Sequence, residues 1–155
     1  MSDNNIFYPP ANEVIPNLYI GPWEARSDVE KLNVKCVVSV LTNKERGYSI
    51  YPAELPENVI EHSYDINDVP NATLEPVLDQ CLSIIHQTLT AGSGVLVHCA
   101  AGISRSASVI IAYLIQYEGM TMTDAIRHLK SVRPSVYPNR SFMEQLAEFE
   151  KKLKQ

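Results

Sequence analysis

Cys99 and Arg105 are six positions apart in the stretch His98-Cys-Ala-Ala-Gly-Ile-Ser-Arg-Ser106, with Gly102 between them. A cysteine thiolate is a nucleophile, and a planar guanidinium can bind two oxygens of one phosphate. A glycine in the loop permits backbone angles that direct several N–H groups toward one anion. The spacing therefore favours a nucleophilic thiol and a phosphate-binding cation in one loop.

Two other roles are open to Cys99, those of a buried structural thiol and of a metal ligand. The chain has three widely spaced cysteines and four scattered histidines, with no C-x-x-C or H-x-x-x-H pair of the kind that zinc sites use. We therefore expect no metal, no cofactor and no disulfide framework. Cys36 and Cys81 lie in apolar segments and are predicted to belong to the core.

The elements on either side of the loop would place it at an anion-binding edge. Val95-Leu-Val-His98 is a short apolar run typical of a buried strand, and residues 106–117 form a helical segment rich in Ala and Ile. In open parallel sheets, ligands bind at the carboxyl ends of strands, where the next helix begins. The N-terminus of that helix adds further affinity for an anion.

The remaining segments predict a single α/β domain over residues 1–155 with a loose N-terminal arm at 1–12. Its central sheet would be mostly parallel and twisted, with about five strands flanked by helices. The predicted strands include residues 14–21, 34–41 and 59–66. The other predicted helices cover residues 24–32, about 72–90, 121–133 and from 141, and residues 42–58 read as a loop.

Composition and charge limit the partners. A net charge of −5 argues against nucleic-acid binding, which needs a surplus of Lys and Arg. No apolar run approaches the roughly 20 residues of a membrane span, so no membrane partner is expected. The sequence is typical of a reduced protein of the cytoplasm, with the nucleus as a second location, and a monomer is the expected oligomeric state.

The stretch 98–106 matches the signature of the cysteine-dependent protein phosphatases, and its form Ala-Gly-Ile-Ser-Arg-Ser resembles the dual-specificity branch. The resemblance continues through residues 14–21, 65–68, 112–114 and 133–146 in order and spacing. It implies a small, atypical dual-specificity phosphatase that consists of the catalytic domain only. Phosphoproteins would be its substrates and partners.

The resemblance also implies a two-step reaction and its residues. Cys99 would attack phosphorus to give a cysteinyl-phosphate, which water then hydrolyses, and Arg105 would clamp the transition state. Asp68 matches the general acid of the family. Asp65 is the competing carboxyl, but it falls inside a predicted strand, and Asp68 could also serve only to cap the turn before Pro70.

Supporting roles follow from the same resemblance. Ser106 would hydrogen-bond the sulfur, with capping of the next helix as its alternative role, and His98 would fix the loop unless it is an ordinary buried histidine. Asn139 matches a structural asparagine near the loop. Substrate phosphate would be bound by Arg105 and by the backbone of Ala100, Ala101, Gly102, Ile103 and Ser104.

The loop side chains discriminate among related phosphatases. Phosphoinositide phosphatases that this loop resembles tend to carry Lys, and RNA-triphosphate phosphatases a His and an Asn, where this chain has Ala100, Ala101, Ile103 and Ser104. A shallow site for phosphotyrosine and phosphoserine/threonine is therefore favoured. The alternatives are a phosphatase of a phosphoinositide, an RNA 5′-phosphate or a sugar phosphate, and a scaffold that binds phosphoproteins without turnover.

Overall fold

The computed structural model describes residues 10–48 and 54–155, and a five-stranded sheet runs through its centre. The strands are β1 (Asn12–Ile15), β2 (Leu18–Gly21), β3 (Val34–Leu41), β4 (Ile60–Asp65) and β5 (Gly94–His98). Their spatial order is β1-β2-β5-β3-β4, and every neighbouring pair is parallel except β1 and β2. The predicted α/β domain with a mostly parallel sheet is confirmed.

Helices cover both faces of the sheet. They are a 3₁₀ helix (Trp23–Asp28), α1 (Asn43–Arg46), α2 (Glu75–Thr90), α3 (Arg105–Tyr117), α4 (Met122–Val132) and α5 (Arg140–Leu153). In β3, Val37 packs with residues of the 3₁₀ helix, whereas Val38 and Val40 pack in the larger cluster that contains α2 to α5. Burial on both faces explains why β3 reads as a continuous apolar run.

The prediction of one strand over residues 14–21 was wrong. The segment contains the end of β1 and all of β2, which pair antiparallel across a turn at Pro16 and Asn17. Asn17 has φ of 72°, a left-handed conformation that asparagine tolerates better than most residues. The arm predicted at 1–12 is also too long, because Ala11 is buried and Asn12 begins β1, while residues 1–9 lie outside the described residues.

Three further boundaries differ from the predictions. The helix expected at 24–32 is a 3₁₀ helix that ends at Asp28. The loop expected at 42–58 contains the single helical turn α1, and its residues 49–53 lie outside the described residues. The helix expected from about residue 72 begins at Glu75. Pro76 fits its first turn, because backbone N–H groups there have no acceptor within the helix and proline lacks an N–H.

The topology gathers three loops at one edge of the sheet. Because β3, β4 and β5 are parallel, their carboxyl ends at Leu41, Asp65 and His98 point the same way. The segments that follow them contain α1, Asp68 and Cys99. Within residues 10–48 and 54–155, no helix is long and apolar enough to cross a membrane.

Candidate active site

The sulfur of Cys99 lies at the end of β5 with two polar groups beside it. Its side chain is 2% exposed, Ser106 Oγ is 3.2 Å from Sγ, and the Gly102 backbone N–H donates to Sγ at 3.2 Å. Hydrogen bonds of this kind favour the charged form of a thiol. Ser106 is fully buried one position inside α3, whose N-cap is Ser104, so it does not cap that helix.

Gly102 and Arg133 hold the shape of the loop. Gly102 has φ of +70°, and a Cβ at this position would lie 2.7 Å from the carbonyl carbon of Gly21 and 2.8 Å from Arg133 Nη2. Arg133 donates from Nε to the Gly102 carbonyl at 2.9 Å and from Nη2 to the Ala101 carbonyl at 3.1 Å. Both backbone conformation and close packing therefore require glycine here, and Arg133 is a support that sequence reasoning missed.

Arg105 is held by Glu45, which the sequence did not reveal. The guanidinium donates to Glu45 Oε1 from Nη1 at 2.6 Å and to Oε2 from Nη2 at 2.9 Å, and Nη1 also donates to the Ile66 carbonyl at 3.0 Å. Burial opposes the charge of Arg105, but the hydrogen bonds to Glu45 together with the charges of Cys99, Glu45 and Asp68 outweigh it and raise the pKa of Arg105. The same bonds lower the pKa of Glu45 to about 2.

These contacts leave one edge of the Arg105 guanidinium open. Arginine has five N–H donors, of which the bonds to Glu45 and Ile66 use three. Within the part of the chain that the structure describes, the Nε–H and one Nη2–H have no protein acceptor. Two parallel donors on one edge match the spacing of two phosphate oxygens.

Glu45 had a sequence signal, but not for this role. Thr42 and Glu45 form a capping box, in which Glu45 N–H donates to Thr42 Oγ1 at 3.1 Å and Thr42 N–H donates to Glu45 Oε1 at 2.8 Å. The spacing T-x-x-E predicts a helix start. It says nothing of a partner 60 positions further along the chain.

Asp68 lies at the rim of the loop, and its assignment as the general acid stays a prediction. Its Oδ1 accepts from Ser104 Oγ at 2.8 Å and from Asn139 Nδ2 at 2.9 Å. Asn139 also donates its backbone N–H to Ser104 Oγ at 3.0 Å and caps α5 by accepting from Phe142 N–H at 2.8 Å. The competitor Asp65 is the exposed last residue of β4, where Asn43 Nδ2 lies 3.5 Å away.

His98 is fully buried directly before the nucleophile candidate, and its Nδ1 lies 3.2 Å from the Cys99 carbonyl oxygen. Burial lowers the pKa of His98 to about 4. The histidine is therefore neutral at ordinary pH and contacts the loop backbone, while its supporting role stays a prediction.

The other two cysteines are core residues, as predicted. Cys36 and Cys81 are buried and unpaired, and burial raises the pKa of Cys36 and raises that of Cys81 to about 12. Thiols of this kind react poorly, because the thiolate is the nucleophile. Among the described residues there is no group of three or more His, Cys, Asp or Glu side chains that could hold a metal ion.

Comparisons with known proteins agree with this geometry. The family described as "Dual specificity phosphatase, catalytic domain" matches residues 18–152. "Dual specificity protein phosphatase 1" of Arabidopsis thaliana is 35% identical over 136 residues, 88% of this chain and 67% of that protein. The human tyrosine phosphatase-like serine/threonine/tyrosine-interacting protein has a similar structure (TM-score 0.87, 27% identity, 96% of this chain and 100% of that chain). Human DUSP28 is also similar (TM-score 0.85, 30% identity, 96% and 97%).

Proposed function

The chain belongs to the dual specificity phosphatase family and is a phosphatase, and we propose that it hydrolyses phosphotyrosine and phosphoserine/threonine in proteins through a cysteinyl-phosphate. The observation that carries this proposal is the convergence of three side chains at one sheet edge. Cys99 supplies the sulfur, Arg105 an open pair of N–H donors, and Asp68 a carboxyl at the rim.

In the first step, the Cys99 thiolate attacks phosphorus, so an S–P bond forms and the ester P–O bond breaks. The hydrogen bonds from Gly102 N–H and Ser106 Oγ stabilise the thiolate before attack. The departing oxygen takes a proton from Asp68, which begins this step as the acid. Asp68 is held through Oδ1, so Oδ2 is the oxygen that carries the proton.

Arg105 stabilises the transferring phosphoryl group. Its Nε–H and free Nη2–H bind two equatorial oxygens, while Glu45 keeps the guanidinium plane fixed from the opposite edge. Because both donors are positioned before the substrate arrives, little reorganisation is needed when charge builds up on these oxygens.

In the second step, water attacks the cysteinyl-phosphate and the S–P bond breaks. Asp68 is now a carboxylate and accepts the proton of the attacking water. The leaving sulfur regains its hydrogen bond from Ser106 Oγ, 3.2 Å away. The products are inorganic phosphate and the free enzyme, so the cycle needs no cofactor.

A substrate panel tests the proposal. We expect phosphotyrosyl and phosphothreonyl peptides to be hydrolysed with kcat/KM at least about tenfold above phosphoinositides and RNA 5′-triphosphate, because the side chains of Ala100, Ala101 and Ile103 offer no cation to a polyanion. Addition of EDTA is the control and should leave the rates unchanged. Turnover of the non-protein substrates alone, or peptide binding without phosphate release, would contradict the proposal.

Asp68→Asn tests the acid. For an alkyl phosphate such as phosphothreonine, kcat should fall by roughly 10²- to 10⁴-fold, since the poor leaving group needs the proton. For p-nitrophenyl phosphate, whose leaving group departs unprotonated, the loss should be much smaller. Asp65→Asn is the matched control and should behave as wild type. An equal loss for both substrates would assign the acid to another residue.

A further inference from the structure

A buried ionic network lies behind the active site on the sheet face that the 3₁₀ helix covers. Arg26 donates to Glu61 Oε2 from Nη1 at 2.6 Å and to Oε1 from Nη2 at 3.0 Å. Its Nη1 is also 3.1 Å from His98 Nε2. Arg26, only 2% exposed, thus joins Glu61 of β4 to His98 at the end of β5.

Stability alone gives a weak reason for such a pair. Burial opposes ionisation of Glu61, but hydrogen bonds from Arg26 and Ser39 outweigh it and lower its pKa to about 2, so both partners are charged. Burying two charges costs desolvation energy that often equals or exceeds their attraction. Because the buried Arg26–Glu61 pair also contacts His98, a role in the active site is a better candidate explanation for it than stability.

The contact with Arg26 decides which nitrogen of His98 carries the proton. A guanidinium has donors only, so Nε2 must present its lone pair to Arg26. In a neutral imidazole the proton then resides on Nδ1. Nδ1–H donates to the Cys99 carbonyl oxygen at 3.2 Å. If the proton were on Nε2 instead, the lone pair of Nδ1 would face a lone pair of the Cys99 carbonyl oxygen.

The Cys99 carbonyl belongs to the peptide that joins Cys99 to Ala100, the first peptide of the phosphate-binding loop. The next carbonyl, that of Ala100, accepts from the Trp23 backbone N–H at 3.3 Å. Two consecutive carbonyls are thus held from the side of the 3₁₀ helix, and the N–H groups of the same peptides face the opposite way. A rotation of either peptide would misalign donors that the substrate phosphate needs.

We propose that Arg26, held in place by Glu61, is a positioning residue that selects the Nδ1–H tautomer of His98 and through it fixes the Cys99 peptide. Its catalytic consequence rests on the proposed phosphatase function, whereas the tautomer itself can be observed without turnover. Neither residue reaches the substrate, so both act only through His98.

Arg26 and Glu61 carry opposite charges near His98 and therefore have opposite effects on its pKa. Burial has the largest effect on its pKa and lowers it, Arg26 from the 3₁₀ helix and Arg46 from α1 lower it further, and Glu61 from β4 raises it. Removing Arg26 therefore favours protonation of His98, and removing the charge of Glu61 disfavours it.

The experiment is ¹⁵N NMR of the His98 ring combined with the pH profile of kcat/KM. The wild type should show protonated Nδ1 and bare Nε2 at neutral pH. In Arg26→Met, Nε2 should become protonated, with His98 titrating about one pH unit or more higher. We expect kcat/KM for p-nitrophenyl phosphate to fall about tenfold, the value of one hydrogen bond to a charged group.

Two companion variants keep the test decisive. Glu61→Gln should retain the Nδ1–H tautomer and should not raise the pH at which His98 titrates, while Arg26→Lys should restore part of the lost kcat/KM. If Arg26→Met does not fold, Glu61→Gln and Arg26→Lys are read alone. An Nε2–H tautomer in the wild type, or the same direction of titration shift in both partners' variants, would overturn the proposal. If His98 shows the expected tautomers but the wild type hydrolyses no phosphate ester, the result would instead count against the phosphatase mechanism.

Discussion

Replacing Cys99 with serine is expected to abolish phosphate-ester hydrolysis while the chain still binds phosphopeptides. A serine hydroxyl is not ionised at neutral pH, so attack on phosphorus would lose roughly 10⁵- to 10⁶-fold in kcat, the range seen when a catalytic nucleophile is removed. The donors around the phosphate remain, because Glu45 and the Ile66 carbonyl hold Arg105, and Arg133 holds the Gly102 carbonyl. Hydrolysis of p-nitrophenyl phosphate and calorimetric binding of a phosphotyrosyl peptide are the two measurements.

Cys36→Ser is the matched control for this variant. It makes the same chemical change at another buried cysteine, which lies in β3 outside the loop. Some loss of stability is expected from the buried hydroxyl, but kcat of the folded fraction should match wild type. Measurable turnover by Cys99→Ser, or a comparable loss in Cys36→Ser, would remove Cys99 from the role of nucleophile.

The site was predictable where its contacts are local. Cys99, Gly102 and Ser106 lie within eight residues, and a strand before and a helix after them define their mutual geometry with little help from the rest of the chain. Asp68 came from the family resemblance, since nothing in its own neighbourhood specifies that it reaches Ser104. Local pattern and resemblance together covered the residues to which we assign contact with the substrate.

The residues that hold those side chains were not predictable in the same way. Glu45 reaches Arg105 only because β3 and β5 are adjacent and parallel, a fact of sheet order and not of sequence spacing. Arg26 of the 3₁₀ helix likewise joins Glu61 of β4 to His98 of β5, two strands that β3 separates. An isolated Glu or Arg in sequence reads as a solvated surface charge, so such partners become visible only with the topology.

The fold shows the same division between local and long-range information. The apolar run of β3 and the amphipathic stripes of α2 and α5 predicted their elements closely, because burial is periodic along them. The hairpin of β1 and β2 was missed because its turn uses Pro16 and Asn17 instead of a glycine pair. A single left-handed asparagine gives a weaker signal than Asn-Gly.

Arg105→Lys should reduce kcat/KM by about 10³- to 10⁵-fold, comparable with loss of an arginine that stabilises a transferring phosphoryl group. A lysine ammonium is a single point and cannot bind both Glu45 oxygens and two phosphate oxygens at once. Arg127→Lys on the exposed surface of α4 makes the same change and should leave the rate unaltered.

The double variant Arg105→Lys/Glu45→Gln separates positioning from charge. In Arg105→Lys, the Glu45 carboxylate loses the partner that holds its pKa at about 2, yet stays ionised at neutral pH and repels the incoming phosphate. Removing that charge should recover part of the lost kcat/KM, although Glu45→Gln alone should lower the rate by loosening Arg105. A double-mutant cycle on p-nitrophenyl phosphate measures this non-additivity. Strictly additive losses would mean that Glu45 does not act through Arg105.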